Sequence, residues 1–230
     1  MTFLEILVEG GSDVPAVKEI LERHFGLQED LDFRIHPHKG KGKLPQNPLA
    51  RPNPRHRGLL DQLPAKLRSY SYLTEEYCVV VLVDADKDNC RELKSDLLRI
   101  YQDIHPHGPR VLFRIAIEET ESWFIADQRA IKVAYPGAKV NKIPNTPYDS
   151  IIGSWECLAD VLGKDPRKCV GEDKKEWASK ISPYLDLDSP NSPSLKAFID
   201  GIERLLSIDN VVDNYFFLAI YEAFYGYPSF

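Results

Sequence analysis

One six-residue run restricts the fold more than any other feature of the sequence: Cys78-Val79-Val80-Val81-Leu82-Val83. The run is apolar at every position and mostly β-branched, and it stops at Asp84. A strand that is apolar on both faces must be covered on both faces, which is typical of parallel sheets packed between helices. The run therefore predicts the buried central strand of an α/β protein.

Strand and helix patterns alternate around this central strand. Further strands are predicted over residues 3–9, 32–38 and 111–117, and helices over about 58–71 and 92–104. Another helix begins after a cap at Ser12 or Asp13 and runs to about Phe25. This order is typical of a doubly wound sheet, whose right-handed crossovers bring the carboxyl ends of the strands to one edge. Sites are usually built at that edge.

The pattern changes after about Ala134. Prolines mark a linker, and helices are predicted over about 150–162, 173–181, 194–206 and 212–225. We therefore expect residues 1–134 to form an α/β domain and residues 135–230 a helical C-terminal subdomain packed on it. The last helix contains Phe216, Phe217, Tyr221 and Phe224 and is apolar on most faces. Such a helix must be buried, either in this chain or against a partner.

Composition narrows the class of protein. The 230 residues carry a net charge of −6, which argues against a generic coating of nucleic acid. No secretory signal and no apolar run long enough to cross a bilayer is visible, so a cytoplasmic, non-membrane protein is expected. The four cysteines form no C-x-x-C pair, which argues against structural zinc and a disulfide framework. Trp123, Phe124, Trp155 and Trp177 are predicted to be core residues.

Acids follow three of the predicted strands. Glu9 follows the first, Asp84, Asp86 and Asp88 follow the central one, and Glu118, Glu119 and Glu121 follow the last. Mg²⁺ and Mn²⁺ prefer oxygen ligands, and two such ions activate an attacking oxygen and stabilise a leaving one. Asp84 and Asp86 point the same way if the strand continues through them. The alternative is that these acids cap the helices that follow.

A basic segment interrupts this acidic chain. Residues 33–60 contain no Asp or Glu, and Lys39, Lys41 and Lys43 lie in a long loop over residues 39–57. Glycines between the lysines allow a close approach to phosphate, so substrate contact is the preferred interpretation and a solvated loop the alternative. His36 and His38 alternate on a strand, but without further ligands nearby a structural role is favoured over zinc.

Two motifs resemble known families. Val8-Glu9-Gly10 before a helix, with Val83-Asp84-Ala85-Asp86 at a later strand end, resembles the Toprim pattern of topoisomerases, primases and OLD-family nucleases. A second resemblance, to the bacterial family DUF4276 of small Toprim-like proteins, covers almost the whole chain. It rests on the run at 118–127, which is similar to E-x-E-S-W-F-L-A-D, and on segments at 175–186 and 192–198.

These resemblances imply an activity and partners. Glu9 would be a metal ligand or general acid/base, Asp84 and Asp86 the metal-binding aspartates, and Glu119 and Glu121 further ligands. The implied activity is Mg²⁺- or Mn²⁺-dependent cleavage of DNA or RNA, in an ATPase-linked phage-defence (abortive-infection) system of the AbiL type. The alternative is a non-catalytic Toprim-like binding or regulatory subunit of an ATPase complex.

Overall fold

Four parallel strands form the centre of the computed structural model, which describes residues 2–104 and 108–207. The sheet order is β2-β1-β3-β4, with β1 at Phe3–Val8, β2 at Phe33–Pro37, β3 at Tyr77–Asp84 and β4 at Arg110–Ala116. In the register of the sheet, Ile6 of β1 lies opposite Ile35 of β2 and Val80 of β3. The predicted α/β fold with a parallel sheet and flanking helices is therefore confirmed.

Helices connect the strands and follow the sheet. The three crossovers contain α1 (Val14–Phe25), α2 (Leu59–Ser69) and α3 (Cys90–Ile104). The last strand is followed by α4 (Glu121–Ile125), α5 (Gln128–Ala134), α6 (Ser154–Val161), α7 (Gly171–Ile181) and α8 (Pro193–Ser207). The loop over residues 38–58 contains no helix or strand, as its glycine and proline content predicts.

Strand β3 is buried on both faces, as the apolar run predicts. Val80 and Leu82 pack on the side of α1 and the C-terminal helices, whereas Val79 and Val81 pack on the side of α2 and α3. All four side chains are at most 2% exposed. Successive residues of a strand point to opposite faces, so a strand between two helix layers must be apolar throughout.

The C-terminal helices share a hydrophobic core with the sheet. Trp177 of α7 and Phe198 of α8 belong to the same buried cluster as Ile6 and Val80. The division into two units at residue 134 stays a prediction, and the aromatic helix over 212–225 lies outside the described residues. No helix within the described ranges is long and apolar enough to cross a bilayer.

A candidate metal centre at the carboxyl edge of the sheet

The ends of β1 and β3 are joined through a carboxylate. Glu9, the residue after β1, accepts a hydrogen bond at its Oε1 from the backbone N–H of Asp84, at 2.8 Å. Because β1 and β3 are neighbours in the sheet, Glu9 and Asp84, the last residue of the central strand, lie at the same edge. The predicted convergence of Glu9 and Asp84 is present in the structure.

The ladder between β3 and β4 continues beyond both strands. The backbone N–H of Asp86 donates to the carbonyl oxygen of Glu118 at 2.8 Å. Both residues have positive φ, 50° for Asp86 and 64° for Glu118. Non-glycine residues with positive φ are strained and cluster at functional sites. Regular strand geometry ends at Asp84, so the prediction that Asp84 and Asp86 point the same way through a continuing strand does not hold.

An outer group of acids is held by Lys41. Its Nζ lies 2.8 Å from the carbonyl oxygen of Ala85, 3.2 Å from Asp86 Oδ2 and 2.8 Å from Asp88 Oδ2. The lysine side chain is only 13% exposed, whereas those of Asp86 and Asp88 are 49% and 58% exposed. The basic loop thus reaches the predicted site. One of its three lysines, Lys41, is already paired with the acids there. Lys39 and Lys43 are exposed.

An inner group of acids surrounds Lys174 of α7. Its Nζ lies 3.4 Å from Glu119 Oε1 and 3.3 Å from Glu121 Oε1. Glu119 also accepts bonds from the hydroxyl of Ser154 and the N–H of Trp155, both at 3.2 Å. These two donors belong to the first turn of α6, so Glu119 stabilises the start of a helix distant in sequence.

Asp13 belongs to the same inner group. Its carboxylate accepts a bond from Thr120 Oγ1 at 3.0 Å and from the backbone N–H of Gly10 at 2.9 Å. The prediction that Ser12 or Asp13 caps α1 is wrong for the side chains: Asp13 is the first flanking residue of that helix but makes no capping bond to it. Its carboxylate instead lies between the ends of β1 and β4, only 4% exposed.

Burial raises the pKa values of several of these carboxyl groups. It raises the pKa of Glu9 to about 8, against the opposing bond from Asp84 N–H, and the pKa of Glu121 to about 7. Burial and then the charges of Asp13 and Glu9 raise the pKa of Asp84 well above its usual range. The pKa of Lys174 is raised because Glu121 and Glu119 outweigh the effect of its burial. The site concentrates negative charge that its own cations only partly offset.

The oxygen-rich side chains fit a hard divalent cation. Glu121 is 2% exposed, and its buried Oε2 has no hydrogen-bond partner among the described residues. An unpartnered buried carboxylate oxygen is costly unless a cation or proton satisfies it. Within residues 2–104 and 108–207, no three Asp, Glu, His or Cys side chains are already arranged to hold a metal ion. Lys41 and Lys174 hold four of the acids instead.

The sequence patterns assign no functional role to three residues of the site. They indicate a helix cap for Asp13 and a core position for Trp155, and Lys174 is one of several charged residues in its helix. Trp155 is only half-buried, so that prediction is wrong: its ring lies 5.5 Å from Lys174 Nζ, within cation–π range. Trp123, Phe124 and Trp177 are at most 1% exposed, as predicted. For Asp13 the sequence does offer a signal: it lies only four residues after Glu9 and is therefore close to the end of β1.

The two strand histidines have structural partners. His36 Nε2 contacts Glu5 Oε2, and His38 Nδ1 lies 2.9 Å from the carbonyl oxygen of Val8. Both contacts fasten the edge strand β2, or the residue that follows it, to β1. These contacts agree with the structural role that the sequence favoured over zinc.

Comparison with known proteins establishes the family. The profile of DUF4276, a domain of unknown function, matches residues 8–203. The chain belongs to the DUF4276 family. The predicted membership is therefore confirmed, and the match includes every acid of the site described above. A search of curated proteins finds no significant match to this DUF4276 protein.

Among solved structures, the DUF4276 chain is similar to the C-terminal regions of two OLD proteins. The region from Xanthomonas campestris pv. campestris is 13% identical with a TM-score of 0.45, and the alignment covers 91% of this chain and 98% of that one. The region from Burkholderia pseudomallei is 14% identical with a TM-score of 0.44, and the alignment covers 88% and 98%.

Proposed function

We propose that this DUF4276 protein is a divalent-metal-dependent phosphodiesterase of the nuclease type, which cleaves DNA or RNA at the carboxyl edge of its sheet. The observation that carries the proposal is the junction of Glu9 and Asp84 at one sheet edge, where the Glu9 carboxylate accepts the backbone N–H of Asp84 and both carboxyl groups have raised pKa values. A divalent cation would ionise both groups and relieve their repulsion. The Toprim-like spacing of Glu9, Asp84 and Asp86 supports the same proposal.

Glu9, Asp84 and Asp86 would hold Mg²⁺ or Mn²⁺, with Asp88, Glu119 and Glu121 as further ligands. When bound, such an ion lowers the pKa of an attacking water and neutralises charge on the leaving oxygen. Glu9 is suited to exchange a proton with that water because its pKa of about 8 is near neutral pH. Lys174, held by Glu119 and Glu121, keeps a positive charge near Asp84 where a phosphate would approach.

The basic loop supports a polymeric substrate. Lys39 and Lys43 are exposed on either side of Lys41, which reaches the acids. Several cations spaced along one loop suit the regular phosphates of a nucleic-acid backbone better than a single small anion. In this proposal Lys39 and Lys43 contact phosphates, while Lys41 leaves Asp86 and Asp88 when the cation binds.

The family resemblance also suggests an ATPase partner, which would act with this chain in the cytoplasm. In this proposal the chain is the effector of an ATPase-linked phage-defence system, and the ATPase controls when cleavage occurs. The test is cleavage of single- and double-stranded DNA and RNA with Mg²⁺ or Mn²⁺, with and without the proposed ATPase partner. No cleavage under any of these conditions would refute the nuclease.

A specific observation favours a second candidate function. Lys41 and Lys174 pair with Asp86, Asp88, Glu119 and Glu121, so much of the acidic charge is offset without a metal ion. A non-catalytic Toprim-like subunit of an ATPase complex would need no metal ion, because these lysines already offset the charge of the acids. Such a subunit would bind the ATPase equally well with and without Mn²⁺ and would cleave nothing, whereas the nuclease would bind Mn²⁺ at the acids.

A further inference from the structure

A cavity of about 320 Å³ lies between the basic loop and α2. Its size is near the lower end of the range of roughly 300 to 1,000 Å³ that small-ligand pockets span. Its walls combine cationic side chains (Lys43 and Arg51), amides (Asn47 and Asn53) and apolar surface that includes Pro64 and Ala65 of α2. The cavity therefore suits one small ligand with an anionic group, polar edges and an apolar face.

The loop around the cavity is built from ordered turns. The side-chain oxygen of Asn47 accepts the N–H of Leu49 at 3.0 Å, and that of Asn53 accepts the N–H of Arg55 at 3.0 Å. The guanidinium of Arg68, on α2, donates hydrogen bonds to the carbonyl oxygens of Pro48 and Ala50. These bonds give the cavity defined walls although no helix or strand forms them.

Several donors of the cavity are free to bind a ligand. Within the described chain, Lys43 and Arg51 make no ion pair. The side-chain oxygens of Asn47 and Asn53 accept backbone N–H groups of the loop, whereas their amide nitrogens make no hydrogen bond there. Asp61 is the one acid of the lining, and its carboxylate accepts the backbone N–H of Lys43 at 3.3 Å and of Gly58 at 3.1 Å. The lining thus offers unpaired donors and cations, while its acid is already engaged.

One short turn of the basic loop links the cavity lining to the acidic edge. Gly42 has φ of 70°, and a Cβ there would lie 2.3 Å from Asp61 Oδ2, so the turn requires glycine. Across this turn Lys41 reaches Asp86 and Asp88, while Lys43 lines the cavity. A ligand in the cavity and a phosphate at the acids would therefore be held by residues two positions apart in the chain.

We propose that this cavity is a subsite for one unpaired nucleotide of the substrate strand, an inference that rests on the proposed function. Arg51 and Lys43 bind its phosphate, Asn47 and Asn53 bind the edge of its base, and the Pro64–Ala65 wall covers a face of the base. Bases in a duplex are paired and stacked, so only a single-stranded or flipped-out base reaches such a cavity. The cavity therefore selects single strands over intact duplexes.

The test measures binding without cleavage, so it is separate from the test of the nuclease. The full chain in EDTA is titrated against a short fluorescent single strand, the same sequence as a duplex, a free nucleoside monophosphate and inorganic phosphate. We expect the single strand to bind most tightly. Ala65→Leu fills the cavity without changing charge and should weaken that binding about tenfold. Arg51→Ala should weaken it and lower the salt slope by about 0.7.

Arg99→Ala is the matched control, because Arg99 is an exposed arginine of α3 that pairs with Asp96. It should bind the single strand like the wild type. The subsite is refuted if Ala65→Leu, with an unchanged melting temperature, and Arg51→Ala both bind the single strand normally. It is also refuted if the duplex, the monophosphate or phosphate alone binds as tightly as the single strand, or if the wild type binds none of them. If the wild type binds the single strand as expected in EDTA but cleaves no nucleic acid with Mg²⁺ or Mn²⁺, only the proposed nuclease is refuted.

Discussion

Lys41 Nζ lies 2.8 Å from Asp88 Oδ2, and this contact joins the basic loop to the acids that follow the central strand. The same ammonium contacts Asp86 and the carbonyl oxygen of Ala85. Three oxygens around one cation resemble the surroundings of a metal ion more than those of a surface ion pair. The contact implies that Lys41 and a divalent ion compete for Asp86 and Asp88.

Replacing Lys41 should strengthen metal binding. We expect Lys41→Met to raise the affinity for Mn²⁺ about fivefold, because roughly 1 kcal/mol of competition from the ammonium is removed. Titration calorimetry or the electron paramagnetic resonance of free Mn²⁺ measures the change. Lys87→Met is the matched control, since Lys87 is an exposed neighbour that loses the same charge. Equal affinities of wild type and Lys41→Met would contradict the competition.

The stability of the metal-free protein should fall as pH rises. The unfolded chain loses the Glu9 proton near pH 4.5, whereas the folded chain keeps it to about pH 8. Within this window the folded state binds more protons, so each step up in pH reduces the free energy of unfolding. Glu121, with a pKa of about 7, contributes in the same direction up to about pH 7. Melting temperatures in EDTA across this range measure the fall.

Two variants isolate the contribution of Glu9 to this pH dependence. Glu9→Gln keeps an oxygen that can accept the Asp84 N–H but does not titrate, so its melting temperature should fall less steeply than that of the wild type. Glu203→Gln, on the exposed side of α8, should follow the wild-type curve. Identical slopes for Glu9→Gln and the wild type would show that Glu9 titrates normally in the folded chain.

Much of this fold and part of the site follow from local patterns in the sequence. The apolar run before Asp84 and the alternation of strands and helices identify a parallel sheet, and parallel topology brings Glu9 and Asp84 to one edge. Asp13 and Lys174 could not be placed in this way. Their roles depend on how α1 and α7 pack against the end of β4, and a local pattern does not contain that information.

The exposed lysines of the basic loop should control nucleic-acid binding. Because Lys41 is engaged with the acids, Lys39 and Lys43 are the two lysines of the set that are free for phosphates. The double variant Lys39→Ala, Lys43→Ala should weaken binding of all sequences, and each lost contact should lower the slope of log K against log salt by about 0.7 to 0.9. Filter binding or fluorescence anisotropy in EDTA at several salt concentrations measures both quantities.

Charge alone must be excluded as the cause of that effect. The double variant Lys132→Ala, Lys168→Ala removes the same charge from exposed positions in the C-terminal half of the chain. We expect it to keep the wild-type affinity and salt slope. If both double variants lose affinity equally, the basic loop is a solvated segment and binding reflects overall charge.

Removing negative charge from the candidate metal site should stabilise the metal-free protein. Asp84→Asn and Asp86→Asn relieve repulsion with Glu9, and Asp84→Asn also removes repulsion with Asp13. We expect Asp84→Asn in EDTA to melt at a higher temperature than the wild type near pH 8, because its amide carries no charge to desolvate. The addition of Mn²⁺ should stabilise the wild type and leave the melting temperature of the Asp84→Asn, Asp86→Asn double variant unchanged. A lower melting temperature for Asp84→Asn in EDTA would show that its carboxylate stabilises the fold.

The most direct test of the metal-dependent nuclease is the rate of nucleic-acid cleavage in Mn²⁺ by the wild type and by the Asp84→Asn, Asp86→Asn double variant. Both are assayed alone and with the proposed ATPase partner, and Asp96→Asn, whose side chain on α3 is 48% exposed, is the control. We predict cleavage by the wild type and Asp96→Asn that EDTA abolishes, and none above background by the folded double variant. Cleavage by the double variant at the wild-type rate would contradict the proposed metal-dependent nuclease.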